Sequence, residues 1–179
     1  MNRKTLINLH LISASFFAPV LVIIGLSGGL YLLDIKGENV ETIVYSGDNF
    51  NIDFSADDRN KETERVLKAA GIEHSFDYTR GNSDLTITRP TSQTHFMLEL
   101  KNSELVITKR EPSLIRSLIE LHKGHGPTEF KWFQKFVSLA LLFILISGLF
   151  LGLTSPMLRN KTIVISGAGV VSVIILAML

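Results

Sequence analysis

The sequence predicts an α-helical membrane protein with three transmembrane helices and a small α+β domain carried between the first and second helices. Three observations predict it. Segments 6–33, 136–153 and 162–179 contain no Asp, Glu, Lys or Arg, and each reaches the roughly 18 apolar residues needed to cross a hydrocarbon core as a helix. From Asp34 onward the character switches to polar with short apolar alternations, which suits strands with one solvated face. Arg3 and Lys4 flank the first run, and Arg159 with Lys161 separates the last two, so the positive-inside rule puts both basic ends in the cytoplasm and 34–131 outside. The expected divisions are helix one at 1–33, an α+β domain at 34–111, an amphipathic helix with a histidine-containing turn at 112–131, and helices two and three at 132–179. At 179 residues and a mean hydropathy of +0.28, the chain has room for one modest extramembrane domain rather than a large soluble catalytic core.

Helix one starts like a signal peptide, with Asn2-Arg3-Lys4 before an apolar run. The run is too long for a signal h-region, and Gly25-Leu-Ser-Gly-Gly29 leads into more Leu and Tyr without a cleavage site, so it is expected to stay as an anchor. Ala14, Ala18, Gly25 and Gly29 repeat the four-residue spacing that lets a neighbouring helix or a flat ligand approach the backbone. Pro19 should bend this helix, and Tyr31 marks its outer interface.

In the exported domain, 40–45 reads as a strand and 57–70 as a helix, with Val66, Leu67 and Ala70 inward and Gly71 as its stop. Segments 75–79, 85–88, 95–100 and 105–108 read as further strands, the last two joined by a hairpin through 101–104. The apolar content is thin, so the domain should lean on the membrane part or on a second copy. Pro112 then opens an amphipathic helix at 113–121 with Leu114, Leu118 and Leu121 on one face, and His122 continues that face. Gly124 and Gly126 end it, and Trp132 anchors helix two. Helix two carries Gly148 and Gly152, which an antiparallel pairing sets at the depth of His10. Helix three has Gly167 and Gly169 and no polar side chain beyond Ser and Thr. No internal repeat, low-complexity tract or phosphate-cradling loop is apparent, since Gly167-Ala-Gly169 lies inside a span.

With no cysteine, the chain forms no disulfide and holds neither a cysteine-ligated iron–sulfur cluster nor a covalently attached haem. A net charge of +1 argues against a nucleic-acid partner, which calls for a strongly basic face. Three histidines fall at predicted membrane boundaries: His10, His122 and His125. A neutral imidazole there is costly without a partner and is a good ligand for haem iron. The bland reading of His10 is an interfacial histidine bonded to a carbonyl or headgroup. His122 and His125 suit two zinc ligands, but a structural zinc site wants four. His125 is open to four readings: an axial ligand, a group behind the ligand, a substrate-side group, or a spare. His74 and His95 lie in the soluble domain, where a solvated or hydrogen-bonded histidine is the default. His10 and His122 sit at opposite ends of antiparallel helices, about 30 Å apart, and cannot share a haem within one chain. A twofold dimer resolves this by pairing His122 with its mate or with the other chain's His125, and His10 with its mate. The expected cofactor is haem b, one or two per dimer.

Leu9-His10-Leu11, Gly25-Leu-Ser-Gly28, Leu121-His122-Lys-Gly124 and Leu145-Ile-Ser-Gly148-Leu-Phe-Leu-Gly152 together resemble the PepSY-associated transmembrane family. The likeness covers the flanking membrane regions well and the intervening domain loosely. Within the family, the short three-helix form is similar to VciB-type ferric reductases, and larger members are di-haem b-type cytochromes with histidine ligands in these helix ends. The resemblance implies a PepSY-like periplasmic domain, a bacterial inner-membrane location with the N-terminus cytoplasmic, and His10 and His122 at the ligand positions. It also implies electrons passing outward from a cytoplasmic or quinone donor to ferric iron or a ferric chelate, for ferrous iron uptake. The absence of a fourth helix again calls for a homodimer. Asp34, Glu38, Glu120 and Glu129 near the outer interface are hard oxygen donors suited to holding Fe(III) transiently, or simply solvated acids. The alternative implied by the same likeness is a non-catalytic, membrane-anchored PepSY-like module that regulates a transporter or protease and makes the histidines incidental.

Overall fold

The computed structural model describes residues 2–54 and 58–179. Its elements run α1 (Arg3–Leu32), β1 (Asn39–Gly47), α2 (Arg59–Ala69), β2 (Tyr78–Gly81), β3 (Leu85–Arg89), β4 (His95–Lys101), β5 (Glu104–Pro112), α3 (Leu114–His122), α4 (Thr128–Leu153) and α5 (Arg159–Met178). They form two compact units: Met1–Leu21 with Lys135–Leu179, and Val22–Gln134.

In the first unit, α1, α4 and α5 are the three helices long and apolar enough to cross a membrane. Residues such as Phe16, Leu139 and Ile165 are exposed, which is unremarkable where the solvent is lipid. Little is buried inside the unit, and much of what is buried is small: Ser147 and Ser155 join Leu6 and Val137. A Cβ on Gly152 would come within 2.6 Å of Thr162 Oγ1, so glycine there is what allows α5 to approach α4.

The second unit is built on a five-stranded antiparallel sheet in the order β1-β5-β4-β3-β2. Phe96 and Leu98 on β4 and Leu105 and Ile107 on β5 alternate onto one face, which Val66 and Leu67 of α2 and Phe54 cover. Ile107 is fully buried, and truncation of such a residue to Ala costs about 2–5 kcal/mol. Asp58 caps α2, its carboxylate accepting from Lys61 N at 3.2 Å. The helix start expected at residue 57 lies outside the described residues.

Three element boundaries differ from expectation. β2 begins at Tyr78 rather than at residue 75; Asp77, just before it, donates its N–H to Arg89 O at 2.9 Å, and its carboxylate accepts from Thr128 N at 2.8 Å and Thr128 Oγ1 at 2.9 Å. That contact caps α4, which therefore starts eight residues ahead of its apolar run. Pro112 does not open α3. It closes β5 opposite Asn39, where a missing N–H is tolerated, and Ser113 is the cap, accepting from Arg116 N at 3.3 Å.

Ser113 also holds the segment that follows α1. Its N–H donates to Glu38 O at 2.9 Å, and its Oγ accepts from Glu38 N at 3.2 Å. Gly37 makes that approach possible: its φ is +64°, and a Cβ would lie 2.6 Å from Arg116 N. The start of α3 is thereby clipped to the chain leaving α1.

Candidate functional site

His122 is the last residue of α3, and Gly124, at φ +77°, terminates the helix behind it. Its Nδ1 lies 2.9 Å from Ser27 Oγ on α1. Ser27 is buried, and its hydroxyl donates to Ile24 O, 3.0 Å away and one turn back on its own helix. A hydroxyl has a single proton, so with that proton on the carbonyl the oxygen accepts the imidazole Nδ1–H. The tautomer is thereby set, leaving the lone pair on Nε2, the form in which histidine binds a metal. A Cβ on Gly28 would stand 3.1 Å from His122 Cε1, so the ring rests on bare helix backbone. A cleft of about 220 Å³ opens beside it, lined by Ser27, Gly28, Tyr31, Ile119, His122 and Lys123.

His10 repeats this arrangement in the other unit. Its Nδ1 lies 2.8 Å from Ser147 Oγ on α4, Ser147 is buried, and its hydroxyl donates to Ile144 O at 3.2 Å. A Cβ on Gly148 would stand 3.2 Å from His10 Cε1. The same five-residue pattern, Ile-x-x-Ser-Gly, supplies both contacts at 24–28 and 144–148. The expectation of no internal repeat holds for long periods and misses this short one. Sequence reasoning picked out the Ser-Gly pairs as family marks without assigning the serines a role; the pattern alone could not have assigned one, because it also occurs at 43–47 and at 163–167. It also favoured Gly25 and Gly29 as close-approach positions, whereas an added Cβ at either meets nothing within 4 Å. The glycines that the imidazoles touch are Gly28 and Gly148.

His125 is held differently. Its Nδ1 lies 2.6 Å from Glu120 Oε2, which again leaves the Nε2 lone pair free when the ring is neutral. Glu120 was expected as an open acid at the interface, but it is 3% exposed. Thr91 Oγ1 donates to Oε2 at 2.7 Å, Lys123 Nζ to Oε1 at 3.1 Å, and Arg116 Nη2 lies 3.3 Å from Oε1. Burial alone would raise the Glu120 pKa, but the hydrogen bonds from His125, Thr91 and Lys123 outweigh it and hold the carboxyl at about 2. A carboxylate so enclosed is a fixed anion that orients His125. Glu129 is exposed in the first turn of α4, where a negative charge complements the helix dipole. Asp34 pairs with Lys36, and Glu38 is exposed on its loop.

His74 packs against the Phe96 ring, 4.7 Å between centroids. His95 is buried, with Nδ1 donating to Gln93 O at 2.8 Å. Burial lowers the pKa of both, so both are neutral structural groups.

Among the described residues no three His, Asp or Glu side chains converge on one point. His10 and His122 each bring one imidazole set against a glycine backbone, a donor of the type that would hold haem iron.

No curated protein and no solved structure matches the chain significantly. The model of the PepSY_TM-like family matches residues 58–179, taking in Glu120, His122, His125 and the Ser147–Gly148 pair, while His10 and Ser27 precede the match. That span is about two thirds of the chain, and the protein belongs to the PepSY_TM-like family.

Proposed function

We propose that the protein is a VciB-type, inner-membrane b-type haem ferric reductase, which passes electrons outward and reduces periplasmic Fe(III) to Fe(II) for ferrous iron uptake. One observation carries the reading: the same histidine–serine–glycine contact is built twice, on two helices long enough to cross a membrane. An imidazole that ligates iron through Nε2 has its Nδ1–H held by an acceptor, and here that acceptor is in both cases a buried serine followed by a glycine beside which the ring edge lies.

Ser27 and Ser147 hold the Nδ1 protons of His122 and His10, and their own protons are anchored on helix carbonyls. Gly28 and Gly148 let the ring edges lie close to the backbone, where a larger residue would turn them. Haem b, when bound, supplies reversible one-electron chemistry at a potential set by its ligands and surroundings. The electron for each iron comes from a cytoplasmic or quinone donor.

A homodimer completes the sites. Each is given a single imidazole by its own chain, and the 220 Å³ cleft at His122 is smaller than the roughly 300–1,000 Å³ of ligand-sized pockets. One chain therefore supplies one wall, and a second copy related by a twofold axis supplies the other.

The test is the visible spectrum of the purified protein, with its mass in detergent. Expected are the Soret and reduced-state bands of six-coordinate low-spin b-type haem, extractable by acid acetone, in a particle of dimeric mass. A colourless, folded preparation from haem-replete cells refutes the reading and returns the chain to the class of partner-binding modules. A monomer that keeps six-coordinate haem refutes the dimer.

A further inference from the structure

The second unit holds another cavity, of about 150 Å³, in which Arg89, Arg110, Arg116, Lys123 and His125 surround Glu120. Four permanent cations thus face one carboxylate. Glu41 on β1 pairs with Arg110 at 2.9 Å, and the cations still outnumber the acids by two. Glu120 also lies 3.8 Å from Arg89 Nη1, but it carries one charge, and its two oxygens already take Thr91, His125, Lys123 and Arg116. Arg89 donates through Nη1 to Thr91 Oγ1 at 2.7 Å, but its Nε–H is buried without a partner among the described residues, an arrangement that is costly unless an acceptor arrives. Guanidinium forks convergent on a small polar cavity match the paired oxygens of an oxyanion.

The walls of the cavity come from β1, β3, β4, β5, the β3–β4 connection, α3 and the turn after it, not from a membrane-crossing helix, which favours a soluble anion over a lipid headgroup. Lys123 lines both this cavity and the cleft beside His122.

We propose that this cavity binds a carboxylate group of an anionic ferric polycarboxylate, which makes a negatively charged chelate the preferred substrate over hydrated iron or a neutral chelate. The iron in this statement rests on the reductase reading; the anion site does not.

The experiment measures binding of citrate and of redox-inert gallium(III) citrate to the full-length protein in detergent, by calorimetry, alongside reduction of ferric citrate and of a neutral ferric hydroxypyranone chelate. Arg110 and Arg116, 22% and 31% exposed at their side chains, line this cavity and not the cleft beside His122, and are the positions to change. In Arg110→Gln/Arg116→Gln, gallium citrate binding is expected to weaken at least tenfold and the KM for ferric citrate to rise by a similar factor, while the KM for the neutral chelate stays within twofold. Arg116→Lys alone should retain binding, which separates loss of charge from loss of fold. Wild-type protein that binds neither citrate nor gallium citrate overturns the proposal. So does stabilisation by phosphatidylglycerol nanodiscs with no response to citrate, which assigns the cavity to a lipid phosphate. Citrate binding without iron reduction leaves the anion site standing and sinks the reductase, whereas reduction of both chelates with unaltered KM in the double variant does the reverse.

Discussion

Ser27→Ala is the sharpest test of the imidazole geometry, because it removes one oxygen and leaves every candidate iron ligand in place. The lost contact is the 2.9 Å bond from His122 Nδ1 to a buried hydroxyl. As a neutral pair it contributes about 0.5–1.5 kcal/mol, and on ligation the Nδ1–H becomes more acidic and the bond stronger. Removing the partner of a ligating histidine weakens metal affinity about 10–100-fold, equivalent to about 1.4–2.7 kcal/mol, so the two estimates meet near tenfold. The expected result is a haem affinity at the His122 site reduced about tenfold, not abolished. A second readout separates this from simple loosening. Hydrogen bonding at Nδ1 makes the imidazole a better donor and favours Fe(III), so its loss should raise the midpoint potential. Haemin titration of the apoprotein, followed at the low-spin Soret band, measures the first effect, and spectroelectrochemistry the second. Ser27→Thr, which keeps a hydroxyl able to reach a carbonyl one turn back, should recover much of both. Wild-type affinity and potential in Ser27→Ala would refute the tautomer argument, and with it the main support for haem at this site.

The other predictions concern neighbouring residues. Gly28→Val should displace the His122 ring, since even a Cβ would stand 3.1 Å from Cε1, and the low-spin haem spectrum should be lost. Gly167→Val on α5, where an added Cβ meets nothing within 4 Å, should leave that spectrum unchanged. Glu120→Gln should destabilise the protein by about 3 kcal/mol, because a carboxyl pKa lowered from 4.5 to about 2 stores roughly 1.4 kcal/mol per unit. The sign follows from a depressed folded-state value: this stability is present above pH 4.5 and is lost as pH falls towards 2, so thermal melts of the wild type and Glu120→Gln should converge in acid. His122→Ala should remove haem or cellular iron reduction, whereas His95→Ala and His74→Ala, which alter the sheet interior and an aromatic contact, should lower the melting temperature and leave the spectrum as it is; an unchanged His122→Ala would mean the ligand lies elsewhere.

What was legible in the sequence was whatever neighbouring residues determine among themselves. Charge-free runs located the helices of the membrane unit, and period-two alternation located β3, β4 and β5 to within a few residues. Asp77 shows where that ends: it looks like part of a strand, but it caps a helix 51 residues further on, and nothing within a few residues of it announces that contact. Glu120 is the same case, an acid on an amphipathic helix whose burial depends on Thr91, 29 residues earlier. The imidazoles divide along the same line. His10 and His122 could be singled out because a lone titratable group beside an uncharged run is locally conspicuous, but their serine partners lie 137 and 95 residues away. Even so, half of each contact is local. The serine must find a carbonyl one turn back to receive its proton, and the next residue must be glycine if a ring is to rest beside it, which Ile-x-x-Ser-Gly supplies at 24–28 and 144–148. The pattern alone is not sufficient, since it also occurs at 43–47 on β1 and at 163–167 on α5, where an added Cβ on Gly167 meets nothing within 4 Å; what gives the two contacts a common chemical purpose is the histidine set against each.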